Sequence, residues 1–201
     1  MSASSPTAKY LHRFCEQFAR SIIAADHASP QKVSSTGRVY QAGIGPFTED
    51  ETVDRVLAEF PEGWCECAFK RFVSVPSAPR NKCDLCIFTP DGALYVEIKM
   101  MRLFGDNGKT NDNITTHILS PYPQQRSAFT DIGKLKDAGF VGDKAVVIYG
   151  YDYDDYPLSL MMDAFEKLAG QQLLSERAEY RFDGLIHPVH RCGAVFGWMV
   201  A

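Results

Sequence analysis

Several absences narrow the reading of this 201-residue chain. No apolar run approaches the roughly 20 residues that a membrane-spanning helix needs, so no membrane partner is expected. The opening MSASSPTAKY is polar and lacks the apolar core of a secretory signal; residence in the cytoplasm is the expectation. No glycine-rich phosphate loop leads into a helix and no Gly-x-Ser-x-Gly elbow occurs, which removes the usual signatures of nucleoside-triphosphate and serine-hydrolase chemistry. The acidic run Tyr151-Asp152-Tyr153-Asp154-Asp155-Tyr156 has neither the glycine nor the terminal glutamate of an EF-hand loop, and reads as a solvated loop. Internal repeats and low-complexity tracts are missing as well.

Other residue types are present but sparsely arranged. Six cysteines in a chain with no export signal are expected to be reduced. Cys65-x-Cys67 is spaced more tightly than a structural zinc pair, and with Cys83-x-x-Cys86 it reads better as small apolar residues buried in strands. The five histidines are scattered. His187-x-x-His190 flanks Pro188 at a turn, a poor frame for a helix-borne zinc pair, and reads as polar residues at the surface.

A chain of this length, 45% hydrophobic and 23% charged, suits one well-buried domain. Its net charge of −4 argues against a surface that grips nucleic acid all over. The distribution says more. Residues 70–136 hold ten Lys/Arg and six acids, a balance of +4, and the flanks hold the remaining 11 and 19, a balance of −8. A polyanion would be drawn to the middle of the chain and repelled by its ends.

Periodicity divides residues 1–201 into an N-terminal helix and loop (1–47), a central core (48–149) and a C-terminal helix and strands (150–201). Leu11, Phe14, Phe18 and Ile22 recur at helical spacing from about Thr7 to His27. Thr48-Glu49-Asp50-Glu51 fits a capping box that opens a second helix with Val53, Val56, Leu57 and Phe60 as its apolar stripe. Three strands are predicted over Trp64–Val75, Lys82–Phe88 and Ala93–Met101, then a helix over Pro123–Ala138 and a doubly covered strand over Lys144–Tyr149. A helix near Ser159–Gln171 and strands around Glu179–Ile186 and Ala194–Val200 complete the order. Helices on both faces of a hairpin-built mixed sheet make a three-layer α/β/α sandwich.

The chemistry concentrates in one predicted hairpin. Thr89-Pro90-Asp91-Gly92 has the composition of a tight turn. If Pro90 and Asp91 are its two central residues, Thr89 faces Gly92 and Asp84 faces Glu97, with their Cβ atoms about 5 Å apart. A glycine bulge would shift the pairing by one residue and send Asp84 to the opposite face. Glu97 and Lys99, two apart on a strand, project from one face among apolar neighbours, where charges require partners. Facing carboxylates repel, a divalent cation relieves the repulsion, and oxygen ligands suit Mg²⁺ or Mn²⁺.

Asp84, twelve intervening residues and then Glu97-Ile98-Lys99 resembles the PD-(D/E)xK motif of restriction-endonuclease-like nucleases, with Cys83 in place of the proline. The order helix, three strands, helix, strand over residues 48–149 resembles the core of that superfamily. The resemblance implies a Mg²⁺-dependent endonuclease hydrolysing DNA, of restriction or repair type, with RNA not excluded as substrate. It makes Asp84 and Glu97 metal ligands and Lys99 the catalytic lysine. It also implies a glutamate on the preceding helix. Glu49 is favoured because it shares the buried face with Val53; Asp50 lies close to that face, and Glu51 is the capping-box partner. Gln124 or Gln125, early in the next helix, matches a polar supporting position. A homodimer is expected if both strands of a duplex are cut. Two readings stand beside the enzyme: a module of the same fold that binds nucleic acid or protein without cutting, and a domain whose charged hairpin forms only ion pairs.

Overall fold

The computed structural model of the protein describes residues 5–111 and 114–201; the first four residues of the polar N-terminus, and the end of the polar Gly105–Asn113 stretch, lie outside them. The chain forms helices α1 (Ala8–Ala28), α2 (Glu49–Ala58), α3 (Ile114–Leu119), α4 (Ala128–Asp137) and α5 (Leu158–Ala169). Its strands are β1 (Ala68–Val75), β2 (Ala78–Thr89), β3 (Gly92–Met101), β4 (Asp143–Tyr151), β5 (Ala178–Phe182) and β6 (Gly193–Val200). The strands make one six-stranded sheet in the order β1-β2-β3-β4-β6-β5. Only β3 and β4 run parallel; the other neighbours are antiparallel. The fold is therefore α/β with a mixed sheet. No helix of the described residues is long and apolar enough to cross a membrane.

Each face of the sheet has its own apolar layer. Leu11, Phe14, Phe18 and Ile22 of α1 and Val53 and Val56 of α2 pack with Leu85, Leu94, Val96 and Ile98. Ile132 and Leu135 of α4 and Met162 and Phe165 of α5 pack with Val146, Ile148 and Trp198 on the opposite face. β4 and β6 are neighbouring interior strands and are buried almost throughout, as strands covered on both sides must be. Helix α1 lies so close to β6 that a Cβ on Gly197 would come within 2.6 Å of Cys15 Sγ.

The N-terminal and C-terminal segments are built into this same sheet and core. The capping box at Thr48 is present in full, with Glu51 as its partner. The expected helix over Pro123–Ala138 is instead a single 3-10 turn, Pro123–Gln125, followed by α4 with Ser127 as its N-cap. Arg126 takes a left-handed φ of 49° between them, which ends the turn before α4 starts. The first strand begins four residues later than expected, because Gly63, Cys65 and Glu66 adopt positive φ around a 3-10 turn.

Candidate active site

The two-residue turn holds. β2 and β3 pair from Thr89–Gly92 to Leu85–Val96 with no register shift. The Thr89 hydroxyl accepts from the Asp91 amide and donates to the Gly92 carbonyl, closing the turn. The ladder then stops, and carboxylates take over its hydrogen bonds. Asp84 Oδ2 accepts from the Ile98 amide at 2.8 Å, and Glu49, at the start of α2, accepts from the Met100 amide. These alternate amides of β3 point toward β2, so two acidic side chains replace a departing strand.

The departure has a local cause. Leu85 and Ile87 face α1 and α2, yet Cys83 on the same strand packs in the opposite layer. On β1 the same switch separates Phe69 from Val73. Between them stands Phe72 with a φ of 53°, a left-handed conformation that breaks the two-residue alternation of a strand. Arg71 braces the bend, donating to the Asp84 carbonyl at 2.7 Å and pairing with Asp50 and Asp54 of α2.

A cleft of about 930 Å³ opens beside the splayed strands, lined by Glu49, Asp84, Glu97 and Lys99 and, from α4, by Asp131 and Lys134. Lys99 Nζ stands 3.2 Å from Asp131 Oδ2 and 3.8 Å from Glu49 Oε1. Lys134 Nζ reaches both oxygens of Glu97 at 2.8 and 2.9 Å. Burial pushes the Glu49 carboxyl up to about 7 against the pull of Lys99. Burial, then the charges of Asp84 and Asp131, hold Glu97 well above the usual carboxylate range. Burial alone would lower the Lys99 ammonium, but Asp131 and Glu49 more than offset it and raise its pKa.

By donor type these residues suit a divalent cation, although no three of their oxygens lie within 4.8 Å of one another. The cleft as a whole is lined by six carboxylates and five cationic side chains, and its inner part sets Glu49, Asp84, Glu97 and Asp131 against Lys99 and Lys134. Glu97 Oε1 and Asp131 Oδ2 are fully buried, and although each lies near a lysine, neither is aligned with it as a hydrogen bond. Mg²⁺ asks for only one or two carboxylates and keeps several waters, so the acids need not form a closed cage.

Of the residues expected here, Asp84, Glu97, Lys99 and Glu49 line one cleft, Asp50 lies at its edge and Glu51 caps α2. Gln125 does not join them: it is exposed at the end of the 3-10 turn, beside Thr115, Thr116 and Tyr122. Its expected place is taken by Asp131 and Lys134. Both were readable in principle, because Asp131 falls between Ala128, Ile132 and Leu135 on the buried stripe of α4, an acid on an apolar face.

His187 and His190 are fully buried rather than surface residues. Their Nε2 atoms lie 3.6 and 3.3 Å from Asp106 Oδ1, and among the described residues this trio brings three metal-ligand atoms within 4.8 Å of one another. Its hydrogen bonds work against a metal. His187 Nδ1 accepts from the amides of Val189 and His190, which places the ring proton on Nε2, the atom facing Asp106. His190 Nδ1 meets the Tyr153 hydroxyl at 2.7 Å, and Arg102 stands 3.9 Å from the same Asp106 oxygen. The acidic-aromatic run that begins at the last residue of β4 is thus partly built into this cluster: Tyr151 is fully buried against His190, and only the later residues of the run are solvated. Gly45 fits here because a Cβ would collide with the His190 ring.

Compared with models of known protein families, with curated proteins and with solved structures, the chain matches none.

Proposed function

We propose that the protein is a Mg²⁺-dependent nuclease of the restriction-endonuclease-like type, with a core running from α2 to β4. The observation that carries this reading is the meeting of Asp84, Glu97 and Lys99 with Glu49 in one cleft where β2 and β3 part. Asp84 and Glu97 are the metal-holding carboxylates; Glu49 and Asp131 extend the acidic wall. When bound, Mg²⁺ supplies positive charge that acidifies a coordinated water and offsets the charge building on the phosphodiester. In the hydrolysis the water oxygen bonds to phosphorus as the bond to the leaving sugar oxygen breaks; the water gives up one proton to bulk solvent and the departing sugar oxygen takes one up from it. Lys99, kept protonated by Asp131 and Glu49, orients the attacking water through a donated hydrogen bond and stabilises the pentavalent phosphate. Lys134 holds Glu97 in place. Mn²⁺ is expected to substitute.

A second reading has its own support: Lys99 and Lys134 already pair with three of the four acids, as in a domain whose charges serve only structure. Incubation of linear, supercoiled and branched DNA with the protein and Mg²⁺ or Mn²⁺ separates the two. Metal-dependent cleavage that disappears in Lys99→Ala is the expected result. Absence of cleavage together with absence of metal binding would sink the catalytic reading.

A further inference from the structure

The carboxylates occupy only part of the cleft. Its outer wall carries Phe72 from β1 and Arg80, Asn81 and Lys82 from β2, and Arg126 stands on the opposite side before α4. Phe72, Arg80, Lys82 and Arg126 are all exposed. Phe72 has two features that a stray surface phenylalanine would not share. Its φ of 53° is rare for a bulky residue, and such strain persists where the surroundings impose it, often at functional sites. The Arg71 guanidinium lies 4.3 Å from its ring centroid and is itself pinned by Asp50, Asp54 and the Asp84 carbonyl. The ring is thus supported from beneath by a fixed cation, and Asp84, bonded to that same cation, adjoins the carboxylate cluster.

We infer that Phe72 is a stacking platform for an unpaired base, and that the substrate is a single-stranded or locally unpaired nucleic acid; the inference rests on the nuclease reading and names its substrate class. An aromatic ring in a concave wall offers its face to a base. A base inside a duplex is already stacked on both sides and cannot accept that offer without being extruded. Arg80, Lys82 and Arg126 give the same wall the positive charge that tracks a phosphate backbone, in a protein whose net charge is −4.

The test uses labelled deoxyoligonucleotides of one sequence, single-stranded and duplex, with the full chain in chelator so that binding is read without cleavage. Single strand is expected to bind at least about ten-fold tighter than duplex. Phe72→Gly should weaken single-strand binding about 5- to 100-fold, the size of one lost base stack. Glycine accepts a left-handed φ, so this variant should melt no lower than the parent and its loss cannot be blamed on misfolding. Phe72→Tyr keeps the ring and should keep the affinity. Preference for duplex, or unchanged single-strand binding in Phe72→Gly, overturns the inference. If Phe72→Gly also cuts duplex normally with Mg²⁺, the nuclease reading survives that failure. If neither form is bound and none is cut, the nuclease reading falls and this inference with it.

Discussion

β3 and its continuation enter two buried polar clusters of opposite character. Glu97 and Lys99 join the cleft; Arg102 and Asp106, a few residues on, join His187, His190 and Tyr153. In the second cluster one carboxylate serves two imidazoles and a guanidinium, its His187 tautomer is set by backbone amides, and tyrosine and glycine close it off. In the inner part of the first, four carboxylates outnumber two ammonium groups, two buried oxygens lack aligned donors, and the whole opens to solvent. Both clusters keep buried polar atoms without an aligned partner, His187 Nε2 and Tyr151 Oη among them in the second, so a polar cluster of this kind is closed by its charge balance rather than by full hydrogen bonding. One that the protein leaves short of positive charge is poised for something from outside.

The sharpest break between the two is catalytic. Glu97→Gln and Lys99→Met should each lower DNA cleavage by roughly 10²- to 10⁴-fold, the usual loss when a transition-state contact is removed. His187→Gln, assayed where it is folded, should cut like the parent. Equal losses from both clusters, in steady-state rates corrected for folded protein, would erase the distinction.

How much of this was visible beforehand depends on the range of the interaction that decides each feature. Turn chemistry at Thr89–Gly92 and the capping box at Thr48 are local, and both stand where the residue pattern placed them. Once that register is set, counting brings Asp84 beside Glu97, but the ladder ends at Leu85–Val96 and Asp84 turns to the Ile98 amide instead of pairing across from Glu97. Lys134 and Asp131 depend on how α4 docks on β3, and Gln125 was misplaced because the left-handed Arg126 separates its turn from α4. The burial of His187 and His190 was invisible locally, since Asp106 is some 80 residues away in the chain. Phe72 gave no warning either: nothing in Arg71-Phe72-Val73 announces a positive φ.

Acid should unsettle the closed cluster. Burial, then the neighbouring His190, lowers His187 from 6.5 to about 4. The unfolded chain therefore takes up the proton first. The stability due to a neutral His187 is complete above pH 6.5, declines as the pH drops from 6.5 to 4, and is gone below that. The decline amounts to about 3 kcal/mol at most. Urea unfolding across this range should lose that slope in His187→Gln; an unchanged slope would place the pH dependence elsewhere.

Truncation sharpens the contrast further. His190→Ala leaves the Tyr153 hydroxyl and Asp106 short of a partner and should cost about 1–3 kcal/mol in chemical unfolding. Lys99→Met keeps the shape but leaves Asp131 and Glu49 without their cation; protonation of Glu49, already pushed to about 7, offsets part of the loss, so the cost should stay below about 3 kcal/mol. A loss of 3–5 kcal/mol in Lys99→Met, the usual cost of breaking a buried ion pair, would favour the structural reading of the cleft.

The smallest effect bears most directly on what the cleft lacks. A ligand that binds only the folded chain stabilises it by RT ln(1 + [L]/Kd), about 1.4 kcal/mol at tenfold excess over Kd. In a chain of this length that raises the melting temperature by about 3–5 °C. Mg²⁺ should produce such a shift in the parent and in His187→Gln, where the acidic wall is intact, and none in Asp84→Ala. Asp84 is the right residue to remove because it offers one oxygen to the Ile98 amide and keeps the other free. Its loss therefore takes away a ligand and the strut that holds the strands apart. A shift that persists in Asp84→Ala but vanishes in His187→Gln would move the cation to the histidine cluster and reverse the roles of the two sites.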